Sequence, residues 1–168
     1  GAICLMSNYG NLNNCSFDNC SADYGGAVYL GGIGDSVVKS SFKNCSAMYG
    51  GAVYWQGNNG VLSKSSFVNC SAVVSSKDAV SYCYGGVVYW AGADGSLSGC
   101  NFTDCSAVAN SSSGYRYSSS SSSSYSYGGA VYWNGADGNL SNCSFVNCHS
   151  SYNGGAVYFN KYGNVSYC

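Results

Sequence analysis

A chain of 168 residues with a net charge of −1 and only 8% charged residues, against about 25% in an average soluble protein, has no electrostatic basis for holding nucleic acid or an anionic membrane surface. Its seven acidic residues are all Asp, it has a single His, and no apolar run approaches the roughly 18 residues that cross a bilayer as a helix. Eleven Cys beside 24 Gly, 17 Tyr and no Pro point to an oxidising, extracellular setting, with buried thiols packing as small apolar residues as the alternative.

In chain order the same text returns. GAICL (1–5) precedes NLNNCSFDNCSA (11–22). GGAVYL (25–30) precedes SVVKSSFKNCSA (36–47), and GGAVYW (50–55) precedes VLSKSSFVNCSA (61–72). GGVVYW (85–90) precedes SLSGCNFTDCSA (96–107), GGAVYW (128–133) precedes NLSNCSFVNCHS (139–150), and GGAVYF (154–159) begins a last unit that stops at Cys168. The first Gly of each pair stands at 25, 50, 85, 128 and 154, so the intervals are 25, 35, 43 and 26 residues. The two long intervals carry extra residues at one place, 73–84 and 108–127.

A catalytic motif is needed once, whereas building material repeats at a fixed period. Short runs of Val, Tyr, Trp and Phe between Gly and Asn read as strands between turns, and no 3.6-residue period is sustained. The period predicts an all-β fold, a right-handed parallel β-helix of about six coils of about 25 residues with three short strands per coil. It is expected as a single solenoid over 1–168, with corner insertions near 73–84 and 108–127. Each sequence column then becomes a vertical stack of like on like.

Period-two alternation assigns the faces. Val28, Val53, Val88, Val131 and Val157 are expected to point inward with Leu30, Trp55, Trp90, Trp133 and Phe159. The Ala and Tyr between them would point outward, making Tyr29, Tyr54, Tyr89, Tyr132 and Tyr158 an exposed ladder. Phe17, Phe42, Phe67, Phe102 and Phe145 form a second inward column. The Cys two before and three after each Phe also face inward if the corner between them flips the alternation once. That corner holds Asn19, Asn44, Asn69, Asp104 and Asn147, residues that tolerate left-handed turns and can bond along a stack.

GGAVY followed by CSFxNCSA resembles the GGA[ILV] and FxxN repeats of chlamydial polymorphic outer membrane proteins, and the related repeats of archaeal adhesin-like surface proteins. The likeness covers almost every residue outside the insertions. It implies a secreted, surface-displayed protein used in adhesion or as a coat. Where that family has Asn at the fourth position of FxxN, this chain has Cys20, Cys45, Cys70, Cys105 and Cys148, a departure that suggests covalent reinforcement.

The Cys before Phe is present as Cys15, Cys100 and Cys143 but replaced by Ser40 and Ser65 in two neighbouring coils. One pairing scheme fits: Cys15–Cys20, Cys100–Cys105 and Cys143–Cys148 within coils, and Cys45–Cys70 between coils, because a rung spacing of about 4.8 Å lies inside the Cα range of a disulfide. If the corner is open, a ladder of buried thiols replaces it. Cys168 falls in the pre-Phe column, Cys4 in the Tyr column and Cys83 in an insertion. A C-x4-C spacing without His is poor for zinc.

No catalytic, cofactor-binding or metal residue is assigned. Solenoid enzymes acting on polysaccharides need carboxylates gathered across coils, and Asp94 and Asp137, in aligned ADG turns, are the best pair, although Asp beside Gly is ordinary turn chemistry. Arg116 is the only Arg, His149 reads as a surface variant, and Thr103 alone, with Ser columns such as Ser16, Ser41, Ser66 and Ser144, makes no ice-binding array. Of nine N-x-S/T sequons, Asn14, Asn101, Asn110, Asn139, Asn142 and Asn164 are expected to be exposed, and Asn19, Asn44 and Asn69 to be shielded in the corner. The Tyr- and Ser-rich insertions would map to one edge, suited to binding host or cell-surface glycans or proteins, or would be tolerated low-complexity tracts. A chain that opens and stops partway through a repeat reads as part of a longer array, or as a unit whose ends stack axially on other copies. The expectation is an extracellular structural or adhesin-like glycoprotein, a stalk, coat or filament, with no cofactor, no nucleic acid and no membrane insertion.

Overall fold

The computed structural model describes residues 1–76, 80–111 and 123–168. They form 23 strands and no helix, and every strand pairing is parallel and in register. The first sheet stacks Ile3–Leu5, Val28–Leu30, Val53–Trp55, Val88–Trp90, Val131–Trp133 and Val157–Phe159, one strand from each of six coils. The second runs from Asn11–Asn13 through Ser36–Val38, Val61–Ser63, Ser96–Ser98 and Gly138–Ser141 to Gly163–Ser166. The third stacks Ser16–Asp18, Ser41–Lys43, Ser66–Val68, Asn101–Thr103 and Ser144–Val146. The chain is therefore a parallel β-helix. A fourth, narrower sheet joins Ser46–Ala47, Ser71–Ser76, Ser106–Ser111 and His149–Ser150, so the middle coils carry more than the three strands expected.

Left-handed residues turn the chain at four corners. Asn19, Asn44, Asn69, Asp104 and Asn147 all have φ between 52° and 54°, the conformation that Asn and Asp tolerate best among residues with a side chain. A second column, Asn14, Lys39, Lys64, Gly99, Asn142 and Tyr167, adopts the same geometry one residue before the pre-Phe position. A third contains Tyr9, Gly34, Asn59, Asp94 and Asp137. The fourth is the first Gly of each pair, with φ of 56–66°. The second Gly serves a different purpose: a Cβ on Gly26, Gly51, Gly86 or Gly129 would stand 1.9–2.2 Å from the carbonyl oxygen of the equivalent Gly in the next coil. One glycine of the motif supplies a turn and the other a close approach.

The core is a set of axial columns. Val28, Val53, Val88 and Val131 are fully buried with Leu30, Trp55, Trp90 and Trp133. Phe42, Phe67 and Phe102 form a buried stack continued by Phe17 and the half-buried Phe145, with ring centroids 4.7–4.9 Å apart. A third column, Leu12, Val37, Leu62, Leu97 and Leu140, closes the interior from the second sheet. The three Trp rings stack at 4.4 and 4.5 Å, and their buried Nε1 atoms have no hydrogen-bond partner among the described residues.

Two expectations about faces are corrected. Ala27, Ala52, Val87 and Ala130 are fully buried instead of outward, because each lies in the bend before its strand, where the alternation has not yet begun. The Tyr ladder is not exposed: Tyr29, Tyr54, Tyr89 and Tyr158 are half-buried and Tyr132 is buried at 8% exposure. A second Tyr column beside it covers the rings.

Candidate functional site

Three features stand out from the repeating scaffold: the thiol columns, the tyrosine face and the arm made by the insertions. Each arises from residues that the coils bring into vertical register.

All eleven Cys are free thiols, and eight of them stand at the corners around the Phe column. Each corner thiol points back to the carbonyl two residues earlier: Cys45 Sγ donates to Lys43 O at 3.3 Å, Cys105 to Thr103 O at 3.2 Å and Cys143 to Ser141 O at 3.2 Å. Ser40 and Ser65 make the same bond, to Val38 O at 3.0 Å and Ser63 O at 2.9 Å. Cys and Ser exchange in the pre-Phe column because both supply a short donor that caps the turn. The thiol that interacts with each Cys belongs to the neighbouring coil. Cys20 meets Cys45, Cys45 meets Cys70, Cys70 faces Cys105 and Cys105 meets Cys148. In the pre-Phe column Cys100 meets Cys143, whose backbone N–H donates to Cys168 Sγ at 3.4 Å.

The candidate inter-coil pair Cys45–Cys70 is thus side by side, whereas Cys15 and Cys20, Cys100 and Cys105, and Cys143 and Cys148 occupy separate columns. Donation to the neighbouring sulfur, reinforced by burial, raises Cys70, Cys100 and Cys105 above the ordinary thiol range. The same bonds lower their partners, Cys45 to about 6 and Cys143 and Cys148 to about 7. In Cys45–Cys70, Cys100–Cys143 and Cys105–Cys148 one thiol is therefore held protonated and the other is more readily ionised.

On the adjoining face, Tyr24, Tyr49, Tyr84 and Tyr127 stack at 5.1–5.7 Å. Beside them Tyr29, Tyr54, Tyr89, Tyr132 and Tyr158 stack at 4.8–5.4 Å. The two columns meet edge to face, at 87° between Tyr24 and Tyr54 and 88° between Tyr49 and Tyr89, an arrangement the ring quadrupoles favour. Burial first, then the neighbouring Tyr54, pushes the Tyr89 phenol up to about 12, so its hydroxyl stays a protonated donor. Cys4 occupies this column in the first coil, opposite Tyr29.

The insertions pair with each other. Ser71–Ser76 lies along Ser106–Ser111, and Val80–Tyr84 along Ser123–Tyr127, making a two-rung arm. Ala72, Val74, Cys83, Ala107 and Ala109 give it a small core of its own, in which burial pushes Cys83 up to about 12. Tyr82 stacks on Tyr125 at 5.3 Å, extending the tyrosine face onto the arm. Buried Ser126 joins the arm to the fifth coil through Ser150, whose Oγ donates to its carbonyl at 2.7 Å. Arg116 lies outside the described residues.

The Asn ladder bonds along the axis, Asn44 Nδ2 to Asp18 Oδ1 at 3.1 Å, Asn69 Nδ2 to Asn44 Oδ1 at 2.8 Å and Asn147 Nδ2 to Asp104 Oδ1 at 3.0 Å. It lies on the surface, which corrects the expected shielding: Asn19 and Asn69 are exposed and Asn44 half-buried. A left-handed corner throws its side chain outward while the flanking Phe and Cys turn in. Asn14, Asn101, Asn110, Asn139, Asn142 and Asn164 are exposed as well. Asp94 and Asp137 are exposed corner residues, and His149 is exposed in register with Ser106. Among the described residues no three His, Cys, Asp or Glu side chains converge on one point that could hold a metal.

One buried carboxylate escaped the sequence reading. Asp35 is fully buried, taking bonds from Gly10 N at 2.7 Å and Gly32 N at 3.1 Å. It stands where the other coils have Gly10, Gly60, Gly95, Gly138 and Gly163. The signal was present: Asp replaces Gly in the coil where Leu30 replaces Trp. Compared with family models, with curated proteins and with solved structures, the chain matched none.

Proposed function

We propose that this chain is an extracellular structural or adhesin-like protein whose stacked solenoid forms a stalk, coat or filament, with no catalytic step of its own. The observation that carries this is the continuity of the columns. Val, Trp, Leu, Phe, Tyr and Asn each run along the axis at one rung per coil. An array of this kind extends by adding rungs, from a longer chain or from another copy, and each rung presents the backbone donors and acceptors that the next requires. Eleven Cys, nine N-glycosylation sequons and low charge support a durable extracellular material. The resemblance to surface-displayed repeat proteins supports the same reading.

Electron microscopy of native, unconcentrated material tests it. Long filaments with an axial repeat near about 4.8 Å and strand stacking across chain boundaries are the expected result. Short isolated rods would remove the filament reading. They would favour a second one, in which the arm and its tyrosines bind glycans or proteins, supported by the pairing of the described parts of the two insertions along one edge.

A further inference from the structure

We infer that the two Tyr columns are a lateral interface, at which a second copy of this chain docks face to face through its own two columns. The contact lies on the side of the solenoid, so it holds whether or not the ends grow into a filament.

This side differs from the others in what it lacks. From the Tyr49 column to the Gln56 column the chain runs through 24–31, 49–56, 84–91, 127–134 and 153–160, stretches with no charged residue and no N-x-S/T sequon. All nine sequons lie elsewhere: on the second and third sheets, at the corners beside them, and at Asn110 in the Ser106–Ser111 strand of the arm. The arm keeps the same division, because Tyr82 and Tyr125 stand on its other pair of strands. Lys39, Lys43 and Lys64 flank the Phe column, and Asp94 and Asp137 occupy the third corner. A surface enriched in Tyr and depleted of charge has the composition of an interface core. In a chain with nine sequons, it is also the side that attached sugars would leave bare.

Ring geometry selects the occupant. Within each column the ring planes lie within 21° of parallel, so each ring's two faces are covered by the rungs above and below. Edges and hydroxyls are what remains outward. A sugar docks its C–H bonds on an open aromatic face, and these columns offer one only at their ends. Hydroxyls both donate and accept, and among the described residues only Tyr29 in these columns has its hydroxyl bonded within the chain, to Gln56 Oε1. A second copy brings the same free hydroxyls at the same rung spacing, so a two-fold contact stays in step along the whole face. A net charge of −1 sets up little repulsion between copies. Every rung adds the same contact, and six rungs make a small interface, so pairing is weak and appears as the chain is concentrated.

Sedimentation equilibrium of the full chain, kept reduced, should show a monomer–dimer equilibrium as its concentration rises. Gln56→Lys combined with Asn134→Lys places two charges in one column at the edge of the face and alters no ring. It should weaken dimerisation at least about tenfold and keep the wild-type thermal midpoint. Val68→Lys combined with Val146→Lys, at exposed positions of the third sheet, should leave dimerisation unchanged. Ruthenium-sensitised photo-oxidation with persulfate joins touching tyrosines by a ring–ring bond, each bond releasing two protons and passing two electrons to persulfate. Mass spectrometry should place the intermolecular bonds in the two columns, although Tyr9, Tyr162 and Tyr167 are the most exposed of the described tyrosines, at 78%, 86% and 87%. Bonds confined to those three would overturn the interface, as would a chain that stays monomeric or a dimer that the Val68 and Val146 pair weakens equally. A monomer whose column tyrosines shift in NMR spectra on adding chitohexaose would give the face to glycans instead. Filaments that grow end to end without bonds between the columns would overturn the lateral contact and leave the filament reading standing.

Discussion

Leu30 and Asp35 show how tightly one residue's identity depends on another five positions away. In the coils with Trp55, Trp90 and Trp133, a Cβ on Gly60, Gly95 or Gly138 would stand 2.3–2.4 Å from the indole. The smaller Leu30 leaves that space, and the Asp35 carboxylate fills it by taking two backbone N–H bonds. Leu30→Trp alone should therefore destabilise by about 2–3 kcal/mol through overpacking. Asp35→Gly alone should cost a similar amount by leaving buried donors unpaired. The double variant rebuilds the Trp–Gly arrangement of the other coils, so urea unfolding should give a favourable coupling of about 1–3 kcal/mol; simple additivity would refute the linkage. The glycines separate in the same way. Gly86→Ala puts a methyl 1.9 Å from Gly129 O and should cost more than about 4 kcal/mol or abolish the cooperative transition. Gly99 has a positive φ but open space, and Asn14 and Asn142 hold its column in other coils, so Gly99→Asn should stay within about 0.5 kcal/mol. The columns were legible in the sequence because a parallel stack writes each one as a repeated letter. The burial of Ala27 and the half-burial of Tyr54 were not, because alternation assumes that the strand starts at the motif's first letter and that no second column covers the face.

At the scale of elements, the three principal strands of each coil could be read from the repeat, but the fate of the insertions could not. Composition assigned 73–84 and 108–127 to an edge and left binding surface and tolerated tract equally open. What decided the structure at their bases is a register shared across 35 residues, Val73 with Val108, and across 43, Tyr84 with Tyr127, which composition does not encode. Coils without an insertion pass from Ala47 through Met48 to Tyr49, so replacing 73–83 or 108–126 by one Met restores the short coil. Removing one insertion strips its partner of a paired strand and opens the core around Cys83, Ala107 and Ala109. That variant should lose about 2–4 kcal/mol and become prone to associate through the bared edge. Removing both should leave the urea midpoint of the solenoid nearly unchanged, with light scattering at the monomer level. If the single and double removals behave alike, the arm is not a paired unit.

At the scale of the whole molecule, stability should vary along the axis, and magnitudes say where it is lowest. Closing a 43-residue coil instead of a 25-residue one costs only about 0.5 kcal/mol more, whereas each inner rung buries a Val, a Trp or Leu, a further Leu or Val and a Phe, worth roughly 1.5–3 kcal/mol apiece. The long insertions are therefore a minor handicap, and the controlling factor is whether a rung has a neighbour on both sides. Val131 and Trp133 are fully buried, while Val157 and Phe159 in the next rung are half-buried and Val165 is 57% exposed. Terminal rungs should fray in the manner of a one-dimensional array. Hydrogen exchange of the isolated 168-residue chain should find amides in Val53–Trp55, Val88–Trp90 and Val131–Trp133 at least about tenfold slower than those in Val157–Phe159 and Gly163–Ser166. Uniform protection would mean that the coils unfold as one unit, and a minimum at the fourth coil would mean that the insertions govern stability after all. The same profile measured on filaments carries the functional consequence: rungs added at the ends should supply the missing neighbours, and the protection of the terminal coils should rise to that of the centre.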